Sequence, residues 1–181
     1  MHVEAGIAEF ELISQCKKGS LKSQEMLYKH FYGFAMGVAL RYCINRDDAM
    51  EVVNDGFIKV FNNIQSYDAN KPFKAWLRTI MVNTSIDRRR KDLKHQLNTD
   101  LDTAIPVSAD TYIIERMHAH DILKLMGILP AIQRTVFNMY EIDGYSHDEI
   151  AGLLAIPASS SRVYLTRAKD KLRKLLLQTM S

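Results

Sequence analysis

Four groups of residues in this chain have types and spacing that can do chemistry, and in each the chemistry is recognition rather than bond-making. Asp48, Glu51 and Asp55 recur at i, i+3 and i+7, which lines three carboxylates along one side of a helix. Such a side repels a phosphate backbone and suits a basic protein surface, although a solvated acidic face has the same pattern. Arg88-Arg89-Arg90-Lys91 is a run of four cations. At the end of a helix they complement the helix dipole and attract phosphates. Residues 162–174 hold six basic side chains against one acid, Asp170. Residues 65–71 offer amides, a tyrosine and small side chains, the types that hold an unstacked base by stacking and edge hydrogen bonds, and also the types of a tight solvent loop.

Catalysis finds no support in the pattern. His118 and His120 sit at i, i+2, on different sides of a helix, and with Asp121 alone they make no ligand set. The chain has no glycine-rich phosphate loop, nucleophile elbow or H-E-x-x-H. No metal, cofactor or catalytic residue is expected.

The elements that must position these groups are helices, because apolar residues recur at helical spacing along most of the chain and alternating strand patterns are missing. Helices are predicted over residues 4–17, ended by Gly19, and over 21–43. Another covers 46–63, capped by Asn45, with Gly56 weakening it slightly. The next runs from Pro72, suited to a first helical turn, to residue 91. Residues 94–112 have scattered polar and acidic side chains, Pro106 and no period, as a linker does. Beyond it, helices are predicted over 113–126, 130–140, 147–154 and 159–178. The expected architecture is all-α: a domain over 1–93, a flexible linker over 94–112 and a second domain over 113–181.

Composition fits that picture without naming a function. The 181 residues are 47% apolar, enough to bury cores, and the net charge is only +3. Residues 1–95 carry 15 basic and 11 acidic side chains, residues 96–113 none and 3, and residues 114–181 nine and 7. Two mildly basic blocks therefore flank an acidic segment, as expected if both blocks approach one polyanion. Cys16 and Cys43 form no framework of the secreted kind, which suits a cytoplasmic chain. The apolar stretch 31–40 is about half of the roughly 20 residues needed to span a bilayer, and the first residues do not read as a signal peptide.

The C-terminal block reads as a helix-turn-helix. Ser146-His147-Asp148-Glu149 is a capping box, Ala155-Ile156-Pro157 breaks the helix, and Ser159-Ser160-Ser161-Arg162 opens the next. On that last helix Ser161, Leu165, Ala168 and Leu172 share one side. Ser159, Ser160, Val163, Thr166, Arg167 and Lys174 then face outward with Arg162 on the flank, a small, polar and basic surface able to enter a major groove. An ordinary helical hairpin with solvated charges has a similar composition. A helix-turn-helix by itself fits a repressor, a response-regulator output domain or a sigma factor equally well.

Residues 43–57 and 73–90 resemble region 2 of the extracytoplasmic-function (ECF) sigma factors: an acidic Asp48-Ala49-Met50-Glu51 helix leading to Phe57, then Trp76-Leu77, Ile80, Asn83 and Asp87 ending in arginines. Leu129-Pro130, Gln133-Arg134, Gly144-Tyr145-Ser146, Glu149-Ile150-Ala151 and Arg167-Ala168 resemble region 4 of the same family. Asn54, Gly56, Ala155 and Ser161 depart from it, standing where Gln, an aliphatic residue, Gly and Val are common.

The resemblance implies a non-catalytic initiation factor whose partners are core RNA polymerase, promoter DNA and an anti-sigma antagonist, with no membrane insertion. It assigns Asp48, Glu51, Asn54, Asp55 and Phe57 to the coiled-coil clamp of the largest polymerase subunit. Tyr67, Asp68, Asn70, Asn83, Arg88, Arg89 and Arg90 are assigned to the −10 element. Ser159, Ser160, Arg162, Val163, Thr166 and Arg167 are assigned to the −35 element. The alternative is a helix-turn-helix regulator that acts without polymerase.

Overall fold

The computed structural model describes residues 2–43, 45–97 and 126–179, and every regular element among them is helical. The linker beyond Leu97 and the helix expected over 113–126, up to residue 125, lie outside the described residues, as do His118 and His120. Helix α1 spans His2–Lys17 and α2 spans Leu21–Tyr42. The break between them is Gly19 at φ +83°, a conformation that glycine adopts without a Cβ penalty. Ser20 then caps α2 by accepting from the Ser23 amide at 3.3 Å.

Helix α3 covers Arg46–Asn63, opened by Asn45, whose side chain accepts from the Asp48 amide at 2.8 Å. A single 3₁₀ turn, Ile64–Ser66, leads into the loop, and α4 runs over Phe73–Leu97. Helix α4 therefore ends six residues beyond the predicted end and carries the whole basic run within it. Between α3 and α4, Gly56 is buried, and a Cβ there would stand 2.5 Å from Met81 Sδ. The glycine that weakens the helix locally makes room for a fully buried methionine.

Helices α2, α3 and α4 enclose one core built around Leu27, Phe31, Phe57, Phe73, Leu77 and Met81. The rings of Phe31 and Phe73 lie 4.9 Å apart. Full burial of each such side chain contributes about 1.5–3 kcal/mol, so the three-helix unit rests on these apolar contacts.

In the second part, α5 covers Ala131–Phe137 and continues as a π-helical turn, Asn138–Ile142. An α-helix over 130–140 was expected, and the widened turn has a tertiary cause. It directs Asn138 Nδ2 to the Arg41 carbonyl at 2.5 Å, a contact that the sequence around Asn138 cannot specify. Helix α6, His147–Leu154, and α7, Ala158–Thr179, then pack with α5 around Val136, Met139, Ile150, Leu154 and Leu165.

The two parts dock against each other at the C-terminal end of α2. Arg134, only 3% exposed, donates to the Tyr42 carbonyl at 3.3 Å. Asp143 accepts from Arg41 at 3.3 Å and from the Tyr42 hydroxyl. Burial lowers the pKa of the Arg134 guanidinium and raises that of the Tyr42 hydroxyl, each disfavouring the charged form.

Candidate functional site

On α3 the carboxylates do share a side, but a cation from α4 reaches across to it. Arg88 Nη2 lies 2.6 Å from Asp48 Oδ1, and Arg88 Nη1 donates to Glu51. Hydrogen bonding to Glu51, with the Asp48 and Glu51 charges, raises the guanidinium pKa further. Arg88, expected on promoter DNA, is thus turned to the acidic face and ties α4 to α3. Asp55 is exposed and makes no ion pair among the described residues. Asn54, also on this side, accepts from the Tyr28 hydroxyl at 3.0 Å.

Phe57 was expected beside the stripe and is instead core, 2% exposed, with its ring 4.7 Å from Tyr28. The reason lies in the helical period: Val53, Phe57 and Val60 fall at i, i+4 and i+7 on the apolar side. The exposed apolar residues of α3 are Met50 and Ile58, which flank Asn54 at four-residue spacing. Apolar side chains at i and i+8 on an otherwise polar side were the signal in the sequence for this surface.

The loop at 65–71 is built around a buried tyrosine. Tyr67 is 7% exposed, its ring 5.3 Å from Phe73 and 5.1 Å from Trp76, and its hydroxyl donates to the Lys71 carbonyl. Lys17 donates to the Tyr67 carbonyl at 2.9 Å, pinning the loop to α1. Tyr67 therefore anchors the loop and does not present a free stacking ring. Asp68 Oδ1 accepts from the Asn70 amide and from Asn70 Nδ2, both at 3.0 Å, and the amide bond holds the carboxyl below its ordinary range. Asp68 and Asn70 are both exposed.

Two cavities adjoin this loop. One, about 280 Å³, is lined by Lys59, Asn63, Ser66, Trp76, Ile80 and Asn83. It brings Asn83 to the loop's edge. The other, about 440 Å³, lies between the loop and α1, with Ile13, Tyr67 and Phe73 beneath and Phe10, Lys17 and Lys71 around it. Past Asn83 the basic run divides. Arg88 faces the carboxylates, Arg89 is half-buried with its charge near Arg134, and Arg90 and Lys91 are exposed. Arg90 stands 3.8 Å from Asp87.

The helix-turn-helix has the geometry that its sequence implies. Ser146 and Glu149 exchange the two bonds of the capping box, at 3.3 and 2.8 Å, and the bond from the Ser146 amide lowers the Glu149 pKa. Ala155 closes α6 in a left-handed conformation, φ 54° and ψ 45°. On α7, Ser161, Leu165 and Ala168 are buried, while Ser159, Arg162, Val163, Thr166 and Arg167 are exposed and Ser160 is half-buried. Ser161 keeps its hydroxyl satisfied by sharing a 2.9 Å hydrogen bond with His147 Nδ1, and that imidazole stacks on Tyr140 at 4.5 Å. The buried serine therefore joins α6 to α7.

Among the described residues no cluster of His, Cys, Asp and Glu could hold a metal ion, and no helix is long and apolar enough to cross a membrane.

Comparison with known proteins agrees with this geometry. The family profile for Sigma-70 region 2 matches residues 27–94, and that for Sigma-70 region 4 matches residues 119–172. The ECF RNA polymerase sigma factor SigW of Bacillus subtilis is 27% identical over 179 residues, 91% of this chain and 94% of that protein. The ECF RNA polymerase sigma-E factor of Haemophilus influenzae is 23% identical over 185 residues, 93% of this chain and 95% of that protein. Among solved structures, the sigma factor RpoE of Bartonella quintana, crystallised with the anti-sigma factor NepR, has a TM-score of 0.53 at 21% identity. It covers 86% of this chain and 98% of that one. With both sigma regions matched in order and whole-length relatives of one kind, the chain belongs to the ECF RNA polymerase sigma factors.

Proposed function

We propose that this sigma factor engages core RNA polymerase through the acidic side of α3 and promoter DNA through two separate surfaces. Residues 1–97, to the end of α4, form the unit that meets polymerase and the −10 element, the chain beyond Leu97 connects, and the C-terminal helix-turn-helix unit meets the −35 element. Asp48, Glu51, Asn54 and Asp55 face the coiled-coil clamp of the largest subunit. Phe57 supports them from beneath, and Arg88 fixes Asp48 and Glu51 in place. The −10 strand meets Asp68, Asn70, Asn83 and the exposed end of the basic run at Arg90, with Tyr67 holding the loop's shape and Arg89 behind it. The −35 duplex meets Ser159, Ser160, Arg162, Val163, Thr166 and Arg167.

The observation that carries this reading is the segregation of charge. A carboxylate side that phosphate repels sits on α3, and a basic, small-residue side sits on α7, each on its own helical unit. A regulator that acts without polymerase leaves the α3 surface, with Met50 and Ile58 exposed among acids, without a partner. The factor works in the cytoplasm, where core polymerase is, needs no cofactor and carries out no catalytic step of its own. An anti-sigma antagonist is a further partner, as the Bartonella relative has one.

Transcription in vitro with core polymerase over a promoter library tests the reading and yields the promoter. Arg162→Ala and Arg167→Ala should then weaken −35 binding. A phosphate contact lowers the salt slope by about one, and a base contact costs roughly 1–3 kcal/mol at one position. Initiation that needs no added factor, or that ignores both substitutions on a −35-dependent promoter, overturns it.

A further inference from the structure

The 440 Å³ cavity between α1 and the loop has its loop side inside the region 2 match, but its α1 wall precedes that match, which begins at residue 27, and nothing in the polymerase or −10 assignments uses that wall. Its size falls within the range of about 300–1,000 Å³ typical of small-ligand pockets. Its floor is apolar and aromatic: Ile13, Tyr67 and Phe73 are all buried. Its wall is Phe10, 60% exposed. Lys17 and Lys71 stand on the rim with Asn70, against the single lining carboxylate of Glu9.

An aromatic platform beside paired ammonium groups is the combination that proteins use for single-stranded nucleic acid, the ring stacking on a base while the cations follow the backbone. The cavity also neighbours the one that holds Asn83. The two share no lining residue, and Tyr67 of the first touches Trp76 of the second at 5.1 Å. One pair of rings separates them, so a single strand can reach both.

We propose that the cavity between α1 and the loop is a second base-capture site, in which Phe10 stacks on an unstacked nucleobase of the melted −10 strand. Asn70 meets the edge of that base, Glu9 accepts from an exocyclic amine, and Lys17 and Lys71 neutralise flanking phosphates. The inference rests on the reading that the loop at 65–71 meets the opened strand. It adds that two bases are held, one on each side of the Tyr67–Trp76 contact.

The test uses polymerase reconstituted with the whole chain and a promoter carrying a premelted −10 segment, in which each non-template base is replaced in turn by an abasic nucleotide. Wild-type protein should lose roughly 10-fold in affinity at two separate positions, the size expected of one base–aromatic stack. Phe10→Ala should abolish the sensitivity at one position and leave the other. Asn83→Ala should do the reverse, and Phe10→Trp should restore the wild-type map. Phe10 is exposed, and an unchanged melting temperature of the Phe10→Ala protein confirms that its fold is intact.

An abasic map unchanged by Phe10→Ala but altered by Asn83→Ala overturns the second site and leaves the loop reading standing. A map altered by neither overturns the loop reading and the second site with it. Weaker binding of core polymerase by Phe10→Ala with no position-specific effect also overturns the proposal, because the cavity then holds a polymerase side chain.

Discussion

The hydroxyl of Tyr42, at the end of α2, donates to the carboxylate of Asp143, 101 residues further along the chain. Arg41 reaches the same carboxylate, and the Arg41 and Tyr42 carbonyls accept from Asn138 and Arg134. Asp143 thus joins the end of α2 to the helix-turn-helix unit in a region where few of the groups see water.

Loss of this carboxylate should loosen the docking. Asp143→Ala leaves the Tyr42 hydroxyl and a largely buried Arg41 without their partner, at a cost of about 1–3 kcal/mol. The −10 and −35 elements are about 25 base pairs apart, roughly 85 Å at 3.4 Å per pair. A compact chain of this length has a radius of gyration of only about 16 Å. The docked form therefore cannot contact both elements, and Asp143→Ala should populate the form that can. Small-angle scattering of the free protein should show a larger radius of gyration, and an unchanged profile would count against the latch.

The turn of the helix-turn-helix carries a local cost that can be removed. Ala155 holds a left-handed conformation that penalises a Cβ by about 1–2 kcal/mol, and it is exposed. Ala155→Gly should raise the stability of this unit by about 1 kcal/mol without altering −35 affinity. Thermal melting and a DNA titration check the two halves separately.

The acidic face should separate structural from binding roles. Asp55→Lys removes no ion pair among the described residues, so stability should stay within about 0.5 kcal/mol while affinity for core polymerase falls. Glu51→Lys also loses the bond from Arg88 and sets two cations together, so it should destabilise the fold by up to about 1 kcal/mol as well. Equal effects of the two substitutions on melting would show that the Arg88 bridge is not formed in solution.

Acid should release the capping box. The pKa of Glu149 is lowered in the folded state, by the bond from the Ser146 amide first, so its contribution is present above the ordinary glutamate range. It is lost as pH falls through the lowered folded value. Protection of the Ser146 amide against hydrogen exchange, taken relative to its intrinsic rate, should fall in that acidic window, and Glu149→Gln should remove the pH dependence of that protection.

What the sequence determined by itself was local. Asn45 opening α3, the Ser146–Glu149 box opening α6 and the buried side of α7 at Ser161, Leu165 and Ala168 all follow from backbone groups and side chains within a few residues of one another. The carboxylate spacing on α3 and the burial of Phe57 beneath it obey the same period. Tertiary structure decided wherever a side chain chose between partners far apart in the chain. Arg88 turns to Asp48 and Glu51, 40 and 37 residues away, because α3 and α4 pack side by side, whereas its neighbours Arg90 and Lys91 stay exposed. Tyr67 is buried because Phe73, Trp76 and Lys17 close around it, although its loop composition suits an exposed ring equally well. The π-helical turn at Asn138–Ile142 and the Asp143 latch depend on the end of α2, to which no short-range pattern refers. Helical period and capping act within a few residues. The choice of partner for a long polar side chain is made only when the helices have packed.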